Sequence, residues 1–143
     1  MKTIFVINGP NLNLLGTREP SVYGTSTLSD IEKTLSAKAK QMGVRLECRQ
    51  SNHEGVLVDW VQEAGKQKAG VILNAGAYTH TSIALRDAIS GSGAKVIELH
   101  ISNVYAREAF RHSSMIAPVC SGVICGFGTV GYELAFDGLV KSL

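Results

Sequence analysis

The sequence predicts an α/β fold in three layers, a parallel sheet of five strands with helices on both faces, and two patterns carry that expectation. Five short runs rich in β-branched residues alternate with stretches whose apolar residues recur at three- and four-residue steps. Such alternation with short connections implies right-handed βαβ units and hence parallel neighbours. Several of the short runs are also apolar at consecutive positions, as strands covered on both faces are.

Thr3–Ile7, Val44–Arg49, Gly70–Leu73, Lys95–Leu99 and Gly122–Cys125 read as the strands. Leu28–Met42, Val56–Lys68 and Ser82–Ser90 read as the helices between them. Thr27 and Ser29 are both candidate N-caps for the first helix, Ser29 with Glu32 matches a capping box, and Gly43 stops it. A shorter helix is expected through Arg107–His112, and Tyr132–Val140 closes the chain. Five strands in so short a chain suggest a flavodoxin-like sheet of order 2-1-3-4-5. Ligands of such sheets lie beyond the carboxyl ends of the strands, near the point where strand order reverses.

Composition sets the outer bounds. The chain has 143 residues, 45% of them hydrophobic, with no linker or repeat, so residues 1–143 are expected to form a single domain. Fourteen basic and 12 acidic residues leave a net charge of +2, too even for a nucleic-acid stripe but compatible with a local cationic pocket. Cys48, Cys120 and Cys125 form no CxxC, so neither a zinc site nor a disulfide framework is indicated, and reduced, buried thiols are expected. The apolar run Ile4–Ile7 is too short for a signal sequence, and nothing approaches a membrane span; the expected location is cytoplasmic.

Polar chemistry collects after three of the strands. Asn8 to Gly24 is close to twenty residues before the next helix, where a βα loop usually has about two to six. This long loop, carrying Asn11, Arg18 and Tyr23, is a lid candidate, although an ordered loop without a moving role fits equally. Asn74 to Ser82 places an amide, the His80 imidazole and a helix N-terminus close together; singly, such residues are more often turn or cap residues. Glu98 and His100 fall on one side of their strand, so the carboxylate is placed to orient the ring. Arg107 and Arg111, four apart, would share a helix face, as a solvated pair or with one guanidinium turned into the pocket.

Gly126 to Gly131 matches GxGxxG, but that fingerprint belongs in the first βα turn with an acidic residue about twenty positions on. Only twelve residues follow Gly131, so close strand–helix packing is the expected role. Gly9 through Gly16 lacks the Lys-Ser/Thr ending of a P-loop.

Three segments together are specific. N-G-P-N-L-N-L-L-G-x-R-E-P-x-x-Y-G, I-L-N-A-G-A-Y-T-H-T-S-x-A-L-R-D-A and E-L-H-I-S-N-V-x-A-R-E-x-F-R resemble type II 3-dehydroquinate dehydratase in order and spacing, over essentially the whole chain. The resemblance implies a lyase of the shikimate and quinate pathways, without metal or organic cofactor, assembled as a dodecamer built from trimers. It implies Tyr23 as proton acceptor at C2 of 3-dehydroquinate, Arg18 as the cation stabilising the transition state, and His100 as donor to the departing C1 hydroxyl. Asn74 with the backbone of Ile101 and Ser102 should hold the substrate carboxylate, His80 and Arg111 the ring hydroxyls. Asn11 should lie near the reacting centre, and Asp87 should reach the substrate from a neighbouring subunit.

The magnitudes are reasonable. A free phenol has a pKa of about 10, so a tyrosine base working near neutrality needs roughly 4 kcal/mol in favour of its anion. A guanidinium about 4 Å away at an effective dielectric of ~20 supplies that order. A lysine Schiff base, the alternative chemistry, is disfavoured because Lys2 and Lys95 begin strands and the other lysines fall on or beside helices. A flavodoxin-like nucleotide- or flavin-binding module remains the competing class. Whether the reaction would serve aromatic biosynthesis or quinate breakdown is open at this level.

Overall fold

The computed structural model describes residues 1–17 and 19–143; Arg18, the expected catalytic cation of the long loop, lies outside the described residues. Strands β1 (Thr3–Asn8), β2 (Arg45–Gln50), β3 (Gly70–Asn74), β4 (Lys95–His100) and β5 (Gly122–Cys125) form a parallel sheet ordered β2-β1-β3-β4-β5. The order is the predicted one. Each predicted strand is present, several of them lengthened or moved by one residue.

The sheet's two faces follow from side-chain alternation. Ile4 and Val6 of β1 and Ile72 of β3 pack with helices α2 (Leu28–Met42) and α5 (Val130–Ser142) through Ile31, Leu35, Tyr132, Phe136 and Leu139. Phe5, Ile7, Val71 and Leu73 point the other way, against α3 (Glu54–Lys66) and α4 (Ile83–Ser92) through Leu57, Val61, Leu85 and Ile89. The consecutive apolar residues of β1 and β3 are therefore two cores read in alternation. The remaining helix, α1 (Pro20–Tyr23), is a single turn inside the long first loop, which also holds a 3-10 turn at Leu12–Leu14. Among the described residues no helix is long and apolar enough to cross a membrane.

Three local expectations are corrected. The α2 capping box is Thr27 with Asp30, not Ser29 with Glu32: Thr27 Oγ1 accepts from Asp30 N at 3.2 Å, and Asp30 Oδ2 accepts from Thr27 N at 3.0 Å. The helix begins at Leu28, so only Thr27 stands at the cap position, and the Thr27 contacts hold the Asp30 carboxyl below the usual carboxylate range. The segment Arg107–His112 is not an α-helix. It consists of 3-10 turns at Val104–Ala106 and Ala109–Arg111, separated at Arg107 by extended backbone (φ −109°, ψ −165°). Finally, Cys48, Cys120 and Cys125 are unpaired, as expected, but only partly buried.

Close packing explains two glycines. A Cβ on Gly131 would come within 2.8 Å of Leu99 Cδ1, so the GxGxxG run lets α5 approach β4, the role expected for it. A Cβ on Gly9 would meet the Ala75 carbonyl oxygen at 2.6 Å, because the chain leaving β1 lies directly on the chain leaving β3. That contact draws together the two segments that bound the cleft described below.

Two outcomes follow. Gly131→Ala should destabilise the fold by about 1–3 kcal/mol through overpacking against Leu99, seen as a lower denaturant midpoint at unchanged m-value. Burial pushes the Cys48 and Cys120 thiols up to about 12. Native protein at pH 8 should then react with thiol reagents at these positions far more slowly than protein in denaturant. The linkage has a definite sign: above the ordinary thiol pKa the unfolded chain loses these protons while the native chain keeps them. Stability should therefore fall as pH rises from about 9 towards 12.

Candidate active site

The carboxyl ends of β1, β3 and β4 meet at a cleft of about 240 Å³. It lies where β1 takes β2 on one side and β3 on the other, the reversal point of the sheet. Asn11 enters from the loop after β1, Asn74 and His80 from the end of β3, and His100, Ile101 and Ser102 from the end of β4. Tyr23 comes from α1, Arg107 from the extended backbone between the two 3-10 turns and Arg111 from the second turn. Two guanidiniums and no carboxylate are among the described lining residues, which suits an anionic, hydroxylated ligand.

The floor is tied by a fully buried phenol. Tyr132 donates to Asn8 Oδ1 at 2.6 Å and accepts from Asn74 Nδ2 at 3.1 Å. Burial raises the Tyr132 pKa, only partly offset by the Asn74 hydrogen bond, so this phenol is a neutral donor. Asn74 Oδ1 accepts from Gly76 N at 3.3 Å. With one amide proton on Tyr132, Asn74 keeps the second for a ligand in the cleft. On β4, Gly126 N and Gly128 N donate to the carbonyls of His100 and Ile101, at 3.3 and 3.0 Å. The glycine run thus also anchors the strand end that lines the cleft.

His100 is held from behind. Its Nε2 lies 2.7 Å from Glu98 Oε2, and both side chains are nearly inaccessible, at 7% and 3%. The predicted same-side pair is thus in direct contact. The His80 ring stacks on His100 with centroids 6.1 Å apart and planes 15° from parallel, and its Nδ1 lies 2.8 Å from the Ser113 carbonyl.

The Tyr23 phenol oxygen accepts from Arg107 Nη1 at 2.6 Å, and the guanidinium carbon sits 5.4 Å from the ring centroid. Arg111 is turned towards Glu108, its Nε 3.1 and 3.3 Å from the two carboxylate oxygens. A hydrogen bond from its own backbone N–H, then that Arg111 contact, with Arg107 beside it, hold the Glu108 carboxyl below its ordinary value.

Of the residues singled out in the sequence, Asn11, Tyr23, Asn74, His80, His100, Ile101, Ser102 and Arg111 line one cleft, with Glu98 directly behind it. Asp87 does not. It is exposed on α4, beside Lys66 and Gln62 and away from the cleft of its own chain. Sequence reasoning left Arg107 undecided and missed Asn8, Tyr132 and Ser114. The i, i+4 arginine spacing flagged Arg107, but only the extended backbone there selects it over Arg111 as the partner of Tyr23. Tyr132→Phe should cost about 1–3 kcal/mol in denaturation experiments, because it strips partners from two buried amides.

Comparison with known proteins identifies the family. Residues 2–140 match the Dehydroquinase class II family. A 3-dehydroquinate dehydratase of Acidovorax sp. (strain JS42) is 60% identical, covering 98% of this chain and 98% of that protein. One from Rhizobium johnstonii is 61% identical over 96% of this chain and 95% of its own length. The crystal structure of type II dehydroquinase from Butyrivibrio crossotus DSM 2876 superposes with a TM-score of 0.94 at 47% identity, covering 97% of each chain. With the family match running over residues 2–140 and the fold in agreement, the chain belongs to the class II dehydroquinases.

Proposed function

We propose that this chain is a 3-dehydroquinate dehydratase that removes water through an enolate, with Tyr23 as base and His100 as acid. The Tyr23 oxygen takes the proton from C2 of the substrate, and the C–H electron pair moves into the adjacent ketone as an enolate. Collapse of the enolate breaks the C1–O bond; the leaving oxygen takes a proton from His100 and departs as water. A proton passed from Tyr23 back to His100 resets the site, so the products are 3-dehydroshikimate and water.

The observation that carries this reading is the Tyr23 hydroxyl, 2.6 Å from a guanidinium in the cleft that His100 also lines. A charge-assisted hydrogen bond of that kind stabilises negative charge as it develops on the phenol oxygen. The other tyrosines are worse candidates. Tyr132 is sealed in the core with its proton committed to Asn8, Tyr78 donates to the Asn52 carbonyl, and Tyr105 is exposed with its ring tilted against His112. Arg18 enters as a second cation on the Tyr23 loop, a role that rests on the family resemblance.

For binding, we assign the substrate carboxylate to Asn74 with the backbone of Ile101 and Ser102, and the ring hydroxyls to His80 and Arg111. Asn11 sits near the reacting carbon. The two guanidiniums that line the cleft and the spare amide proton of Asn74 support this arrangement. Residues 1–143 would act as one catalytic domain in the cytoplasm, without metal or organic cofactor. The reaction fits aromatic biosynthesis, and quinate breakdown would use the same step.

The assembly proposed is a dodecamer built from trimers, in which Asp87 meets the cleft of a neighbouring subunit. Its exposure on α4, away from its own cleft, is what such a role requires. Asp87→Ala should then weaken the oligomer in light scattering and raise KM; unchanged assembly and kinetics would remove Asp87 from the site.

The ultraviolet absorbance of the enone product gives the direct assay. Tyr23→Phe should lower kcat by roughly 10²–10⁴, the range for a lost general base, while thermal unfolding stays unchanged. Near-normal turnover would refute the base assignment. Borohydride added during turnover should leave the protein unmodified, whereas a lysine adduct would show Schiff-base chemistry instead.

A further inference from the structure

We propose that Ser114 is a positioning residue for the acid: it fixes the charge and orientation of Glu98, and through Glu98 the tautomer of His100. The inference rests on the reading of His100 as the proton donor. Ser114 lies 16 positions from Glu98, in the irregular segment between the second 3-10 turn of the Arg107 region and β5, and has no place in the motifs that carried the family resemblance.

The direction of the Ser114 hydrogen bonds follows by counting. Ser114 Oγ accepts from Ile116 N at 3.2 Å and from Ala117 N at 2.9 Å. A hydroxyl has two acceptor positions and one proton. Both acceptor positions are therefore filled by backbone N–H groups, and the proton is left for Glu98 Oε1, 2.6 Å away. Glu98 accepts on that oxygen, and as an ionised carboxylate it takes the Nε2–H of His100 on its other oxygen, Oε2, at 2.7 Å. The ring keeps a proton on Nε2 in both charge states, and Nδ1 is the nitrogen that His100 presents to a ligand in the cleft. The proton delivered to the leaving hydroxyl is accordingly the Nδ1 proton, after which the ring is neutral and still donating to Glu98.

The same short segment also holds the second imidazole. The Ser113 carbonyl accepts from His80 Nδ1 at 2.8 Å, and Met115 N donates to the Thr79 carbonyl at 2.8 Å. Residues 113–115 thus hold the stacked His80 and His100 rings in register from outside the sheet. With Glu98 and Ser114 both largely shielded, a carboxylate without its hydroxyl partner would be left free to turn or to take up a proton. Either change would release the imidazole.

Ser114→Ala should lower kcat roughly ten- to hundredfold, short of the loss expected for removing the acid itself, with KM within about twofold of wild type. Ser114→Thr, which restores the hydroxyl, should recover most of it. In a Glu98→Gln background the Ser114→Ala change should add little, because the residue acts only through that carboxylate. If Ser114→Ala folds poorly, Ser114→Cys replaces the hydroxyl with a weak donor and should also lose turnover. A wild-type kcat in Ser114→Ala or Ser114→Cys, or full additivity with Glu98→Gln, would overturn the positioning role. The reading of the enzyme would survive that result, provided wild type dehydrates 3-dehydroquinate and Tyr23→Phe does not. An inert wild type would remove both.

Discussion

The site depends on where β1 and β3 end relative to one another. Asn8 and Asn74 are register partners at the carboxyl ends of adjacent strands, and one buried hydroxyl, that of Tyr132, bridges their side chains. Gly9 passes so close to the Ala75 carbonyl that no larger residue fits there. These contacts fix the two chains as they leave the sheet and open the cleft between them. The bridge is neutral because burial keeps the phenol protonated. A second phenol, half-buried on a loop and facing a guanidinium, stands nearby under opposite conditions. One side chain type thus serves as a fixed donor in one environment and as a candidate base in another.

The His100 side of the cleft is built on a different principle. His100 is positioned from behind by a carboxylate that is itself held by a hydroxyl, so rigidity is supplied in successive shells. Tyr23 instead sits on a four-residue helix in a long loop and takes a hydrogen bond from Arg107. The proposed proton acceptor rides on a local loop turn and the proposed donor on a central strand. This division suits a site in which substrate must enter past one partner while the other stays in place.

Much of the fold was legible because both cores are apolar in strict alternation along β1 and β3, and because the long helix Leu28–Met42 carries its own start and stop signals. The capping box was misplaced because two overlapping patterns, Ser29 with Glu32 and Thr27 with Asp30, compete within the six residues from Thr27 to Glu32, and only the helix start decides between them. The Arg107–His112 segment was misread for a physical reason. Spacing of four between arginines reads as a helix face, yet the backbone is extended at Arg107, and His112 Nε2 lies 3.0 Å from the Arg107 carbonyl that an α-helix would use. That departure turns the guanidinium towards Tyr23. Most site residues could be found from motifs that lie at strand ends. Ser114 and Tyr132 could not, since they meet the site through contacts between segments far apart in the chain.

The central claim is that the Tyr23 oxygen, paired with a guanidinium, faces the carbon that loses its proton. A crystal structure of the protein with 3-dehydroshikimate in the cleft tests it most directly. The account predicts the Tyr23 oxygen about 3–3.5 Å from C2 of the ring, with Arg107 still hydrogen-bonded to it and His100 Nδ1 turned to the C1 side. A ring bound with C2 facing another side chain, and Tyr23 swung out of the cleft, would contradict it.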